Sequence, residues 1–222
     1  MRDQVPSNKI SLYFFGDSIC FGQFISPHEI WTTSVSKAIS EKLVGSKFEV
    51  VTQVTAVNGE ITREALSRLQ HCVTSHAPEI VWVQFGLNDA NYWETDQGLP
   101  RTAPESFRAN MKEIIERILA CRSKKVLVAT NHVVTKTPAH LNSDEYQTNA
   151  RKYNLAIRDL VSEFNNLNRV ELVDIEMLLG HQITEPKSIL LEDGVHLNRL
   201  GHQLYFATVF PMIDNAISQL IN

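Results

Sequence analysis

The sequence is short of the features that mark several protein classes. It has only 3 cysteines, Cys20, Cys72 and Cys121, an odd and widely spaced set. Such a set frames no disulfide scaffold and has no zinc-ligand spacing; it reads as reduced thiols in a cytosolic chain. No apolar run approaches the length of a membrane span, so no membrane-spanning segment is expected. The opening residues, Met1 to Lys9, contain no apolar stretch of the kind a secretory signal needs. An Asn-x-Ser/Thr glycosylation acceptor is also missing. Together these absences predict a cytoplasmic protein. Positive charge is not concentrated either. The 21 Lys and Arg against 25 Asp and Glu leave a formal net charge of -4. The longest basic run, Arg122-Ser123-Lys124-Lys125, reads as a solvated helix end. No nucleic-acid partner is expected of such a chain. Repeats, low-complexity tracts and linker-like stretches are lacking too, so the 222 residues read as one domain. Nothing in the sequence speaks to its oligomeric state.

What the sequence has is a regular alternation. Hydrophobic residues at 43% and charged residues at 21% give the balance of an ordinary folded chain, not a disordered one. Short apolar, β-branched runs at Ile10–Phe15, Phe48–Val54, Glu79–Phe85, Lys125–Thr130 and Val170–Asp174 predict five strands. Between them lie helical patterns. One runs from Pro27 through Trp31, Val35, Ile39 and Leu43; Ser26 and Glu29 have capping-box spacing there, with Pro27 at the first helical position. Others start at Thr62, at Pro104 and at Ser143, and a last one follows Asn198 with a break expected at Pro211. Strands alternating with helices imply a parallel sheet covered on both faces. The stretch from Ala90 to Pro104 has no clean period and reads as an excursion carrying Tyr92 and Trp93. These two aromatics fit either a substrate wall or core beneath a loop.

The chemistry-bearing residues fall at the ends of the strands. Ser18 follows strand one in Gly16-Asp17-Ser18, Gly59 follows strand two, and Asn88 follows strand three in Gly86-Leu87-Asn88-Asp89. In a parallel sheet these loops leave the same edge, where ligands bind. Taken alone, Asp17 or Ser18 could simply cap a helix, and Gly59 could be a plain turn glycine. The remaining stretch changes the weight. Asp193 and His196 stand three apart, so the carboxylate can meet the ring across one turn and fix its tautomer. The other ring nitrogen is then free to take a proton from Ser18. Attack on an acyl carbon also needs oxyanion donors. The backbone N–H groups of Ser18 and Gly59 and the Asn88 amide can supply them. Asp89 reads as a loop-orienting group. Cys20, with nothing basic beside it in sequence, reads as packing. His132 and Asn131 follow strand four at the same edge, a place from which they could border the site, and read as structural. The other histidines have no mutual ligand spacing, so no metal is expected.

These blocks, in this order, resemble those of the SGNH hydrolases, also called GDSL-type esterases and lipases. The resemblance runs from Gly16 to His196. It implies a flavodoxin-like, three-layer α/β/α fold on a five-stranded parallel sheet, and ester hydrolysis without metal or cofactor. It also implies Ser18, Asp193 and His196 as a catalytic triad, with Ser18, Gly59 and Asn88 as the oxyanion hole. Ile19 stands where the family often has leucine. Ala56-Val57-Asn58-Gly59-Glu60 lacks the fuller pattern usual before that glycine. The expected substrate is a small acyl ester, such as an O-acetyl group on a carbohydrate. The alternatives are a thioesterase or lysophospholipase acting on longer chains, an acyltransferase, or a ligand-binding module.

Overall fold

Apolar runs of four to eight residues become the strands of one sheet. The computed structural model of the chain describes residues 8–92, 94–135 and 143–221. Its strands are β1 (Lys9–Gly16), β2 (Glu49–Val54), β3 (Ile80–Gln84), β4 (Lys125–Ala129) and β5 (Val170–Val173). They lie in the order β2-β1-β3-β4-β5, and every neighbouring pair is parallel. β3 and β4 are buried along their whole length, as expected where helices cover both faces. The order reverses between β1 and β3. The chain leaves these neighbours in opposite directions, which opens a crevice at their carboxyl ends.

The helices are α1 (Ser18–Phe21), α2 (Trp31–Lys42), α3 (Thr62–Cys72), α4 (Leu87–Ala90), α5 (Pro104–Ala120), α6 (Ser143–Ser162), α7 (Ile175–Gly180) and α8 (Arg199–Ile221). α2 packs with α8 in one layer, while α3, α5 and α6 pack side by side in the other. An aromatic cluster joins the sheet to the α2–α8 layer. Trp31 of α2 touches Phe14 of β1 edge-on, Trp82 of β3 at 5.2 Å between centroids and Tyr205 of α8 at 5.0 Å.

Two local expectations are corrected. Pro27–Glu29 forms only a 3₁₀ turn, and Ser26 makes no capping hydrogen bond to it. Ile30 is extended, and the α-helix starts at Trp31. The Trp31 N–H is met instead by Nδ1 of His202, 3.3 Å away on α8. The second correction concerns Pro211. α8 passes through it without ending. Pro211 lies exposed, so its ring and missing N–H face outward, while Val209 and Ile213 on either side stay buried and hold the helix to the core.

Candidate active site

β1 delivers Ser18 at the crevice. Asp17 caps α1 by accepting from the Ile19 N–H at 3.0 Å, and the turn this forms presents the serine hydroxyl beyond the sheet. The chain returns to the same point 178 residues later. Leu190 and Leu197 form an antiparallel bridge, and Leu191 N–H donates to the His196 carbonyl at 2.8 Å. Within this narrow loop Asp193 Oδ1 accepts from the backbone N–H groups of Val195 and His196, both at 2.9 Å. Its Oδ2 lies 2.6 Å from Nδ1 of His196, and Nε2 of the same ring lies 2.9 Å from Ser18 Oγ. Burial opposes ionisation of Asp193. The hydrogen bonds from the His196 ring and the two backbone amides outweigh it and hold the carboxyl below its ordinary value. An ionised carboxylate, a ring of fixed tautomer and a hydroxyl in line can move a proton off the serine.

The opposite side of the crevice carries amide donors. Asn88 begins the second residue of α4, and its Nδ2 donates to Asp17 Oδ2 at 3.3 Å. One amide hydrogen is thereby held by Asp17, which leaves the other available to a ligand. Asp17 is fully buried, and burial raises its pKa to about 7 despite the Ile19 amide; the charges of Asp89 and Glu60 add to the rise. Asp89 accepts from the N–H and the hydroxyl of Thr62, the first residue of α3, and so joins the loops after β2 and β3. This is the orienting part expected of it. Gly59 is exposed with φ +74°, a backbone conformation that favours glycine, and nothing lies within 4 Å of where a Cβ would stand. Val57 N–H bonds the Gly16 carbonyl at 3.0 Å, which holds this loop against the end of β1. The Gly59 carbonyl accepts from Arg101 at 3.0 Å.

A family model, the GDSL-like Lipase/Acylhydrolase family, matches residues 14–204. The chain belongs to this family. As a GDSL-type member it is a carboxylic ester hydrolase. It is similar to the isoamyl acetate-hydrolyzing esterase 1 homolog of Homo sapiens, at 26% identity over 94% of this chain and 83% of that one. The arylesterase of Vibrio mimicus is 22% identical over 83% of this chain and 78% of its own. Among solved structures, a lipase/acylhydrolase from Enterococcus faecalis superposes with a TM-score of 0.75 at 22% identity, covering 93% of this chain and 96% of that one. An acetylxylan esterase from Geobacillus stearothermophilus reaches 0.73 at 15% identity, over 93% and 95%.

Parts of this GDSL-type site were weakly marked in the sequence or not marked at all. His132, buried in the loop after β4, lies 2.7 Å from the Val195 carbonyl through Nε2, and Thr135 N–H donates to the Gly194 carbonyl at 2.8 Å. That loop therefore clasps the Asp193–His196 loop from behind. Burial lowers the His132 pKa to about 4, so the ring is neutral and its donating nitrogen is Nε2. The sequence signal was only its place at the catalytic edge. Phe24 was not anticipated at all: its ring stands edge-to-face with the His196 ring, centroids 5.3 Å apart. Tyr92 is half-buried and packs against the core. Trp93 lies outside the described residues. Cys20 is buried with Sγ 3.4 Å from Gln84 Oε1, a packing residue as expected. Among the described residues no group of three or more His, Cys, Asp or Glu is arranged to hold a metal.

Proposed function

We propose that Ser18 is the nucleophile, His196 its base and later the acid, and Asp193 the group that fixes and stabilises the ring. One observation carries this reading: Ser18 Oγ, His196 and Asp193 form an unbroken hydrogen-bonded line of 2.9 and 2.6 Å. Ser18 Oγ attacks the acyl carbon while its proton passes to His196 Nε2. The carbonyl oxygen becomes an oxyanion, met by the N–H groups of Ser18 and Gly59 and the free amide hydrogen of Asn88. His196 then protonates the alcohol oxygen, the C–O bond breaks and an acyl-Ser18 ester remains. Water attacks that ester with His196 taking its proton; the bond from the acyl carbon to Ser18 Oγ then breaks as His196 returns the proton to Oγ, and the acid leaves.

The substrate in this reading is a small acyl ester, with an O-acetyl group on a carbohydrate as the leading candidate. The likeness in fold to acetylxylan esterases supports it. A longer acyl chain is the second reading, supported by Phe21, which exposes an apolar ring on the segment that follows Ser18. Hydrolysis of a p-nitrophenyl ester series separates the two. A kcat/KM highest for acetate and falling towards decanoate is expected; a maximum at decanoate would overturn the acetyl reading in favour of the second. Equal rates for wild type and Ser18→Ala on every ester would overturn the nucleophile assignment.

A further inference from the structure

Phe24 combines three properties that do not normally occur together. Its backbone sits at φ +69°, a region in which a bulky residue is a rare and strained choice. Its side chain is 70% exposed, so no burial within the chain compensates the strain. Its ring nevertheless stands edge-to-face with His196, centroids 5.3 Å apart and planes at 85°. The turn that holds it is fixed to the nucleophile: Gln23 N–H donates to the Ser18 carbonyl at 3.1 Å, and Ile25 N–H to the Gly22 carbonyl at 3.2 Å. The ring is thus set in place next to the imidazole with its apolar surface open to whatever binds there.

The chemistry of the site says which half of the ester that is. His196 must give its proton to the departing alcohol oxygen, so that oxygen comes within hydrogen-bond reach of Nε2. The acyl oxygen points away from it, to the donors on Gly59 and Asn88. A group beside the imidazole therefore meets the alcohol half. We infer that Phe24 is a specificity-determining residue that receives the alcohol moiety and favours one with a flat C–H or π face, an aryl ring or the apolar face of a sugar. The inference rests on the Ser18–His196 assignment proposed above, but not on the length of the acyl chain.

The test holds the acyl group constant and varies the alcohol. Wild type, Phe24→Ala, Phe24→Gly and Phe24→Tyr are compared on ethyl acetate, 2-naphthyl acetate and a mono-O-acetylated methyl xyloside. The expected result is a fall of roughly 3- to 10-fold in the kcat/KM ratio of a flat-faced substrate to ethyl acetate for Phe24→Ala, carried by KM, with Phe24→Tyr retaining the ratio. A fall with naphthyl alone identifies an aryl alcohol, and a fall with the xyloside alone a sugar. Phe24→Gly relieves the backbone strain, so it is expected to melt no lower than wild type while showing the same fall. An unchanged ratio for both flat-faced substrates in folded Phe24→Gly overturns the inference. So does a change confined to acetate against butyrate at fixed naphthol, which would put Phe24 on the acyl side. Failure of the underlying assignment reads differently: Ser18→Ala would then hydrolyse all three esters at the wild-type rate.

Discussion

Ser18 is a weak nucleophile until a base takes its proton, and His196 is a poor base for it unless Asp193 fixes the ring. The three are thus expected to act as a unit. Ser18→Ala should lower kcat on the order of 10⁶-fold, measured on the best p-nitrophenyl ester. Asn88→Ala should cost roughly 10²–10³ in kcat with little change in KM, since its amide meets an oxyanion that exists only during reaction. An unchanged kcat would remove Asn88 from the oxyanion hole. Asp17 adds a pH signature of its own. Burial raises its pKa from the ordinary carboxylate range to about 7, so the folded chain holds its proton where the unfolded chain has lost it. This contribution is fully present below about pH 4 and is lost as pH rises through 7. Asp17→Asn should therefore gain stability relative to wild type as pH rises through that window, by a slope of about one proton, read from the urea midpoints of both proteins against pH. It should also reduce kcat, because an amide at this position can turn a donor towards Asn88 in place of the acceptor Oδ2.

Whole elements hold the site through contacts that span long stretches of chain, and these divide what the sequence made legible from what it did not. The five strands and the helix starts at Thr62, Pro104 and Ser143 followed from local pattern. So did the Asp193–His196 pair, because three residues of spacing suffice to bring carboxylate and ring together. The start of α2 did not. Ser26 and Glu29 have the spacing of a local cap, yet the Trp31 N–H is met by His202, 171 residues away. Pro211 misled for a related reason: local rules end a helix there, but packing on both sides of it carries α8 onward. Nor does any residue code announce the strained turn of Phe24, since non-glycine residues take positive φ only when their surroundings impose it. α8 also supports the catalytic loop at one close approach. A Cβ on Gly201 would stand 2.2 Å from the Ile189 carbonyl, just before the Leu190–Leu197 bridge. Gly201→Ala must push backbone against backbone and should cost roughly 1–3 kcal/mol of stability in a denaturant titration. A fall in kcat is expected with it, since the displaced strand leads directly to Asp193. Full stability and full activity in this variant would contradict that coupling.

Across the whole molecule, a sheet whose order reverses between β1 and β3 turns residues distant in sequence into neighbours at one rim. The helix layers that enclose it also enclose His132 and His202, and burial lowers both to about pKa 4. Their unfolded value is about 6.5, so between pH 4 and 6.5 the unfolded chain binds more protons at these two sites and stability falls as the medium is acidified. The buried carboxyls whose pKa is raised, Asp17, Asp89 and Glu60, work in the opposite sense. His132→Gln, which can still donate to Val195, should therefore lose less stability than wild type between pH 6.5 and pH 4.5, by a slope of about one proton in urea midpoints against pH. The claim on which the rest depends is that one hydroxyl at the rim of the sheet is acylated. Mass spectrometry of the protein treated with a phosphonofluoridate, followed by peptide mapping, tests it directly. The expected result is a single adduct on Ser18, absent from Ser18→Ala and greatly slowed in a His196 variant. An adduct on another residue, or one that persists undiminished in Ser18→Ala, would contradict it.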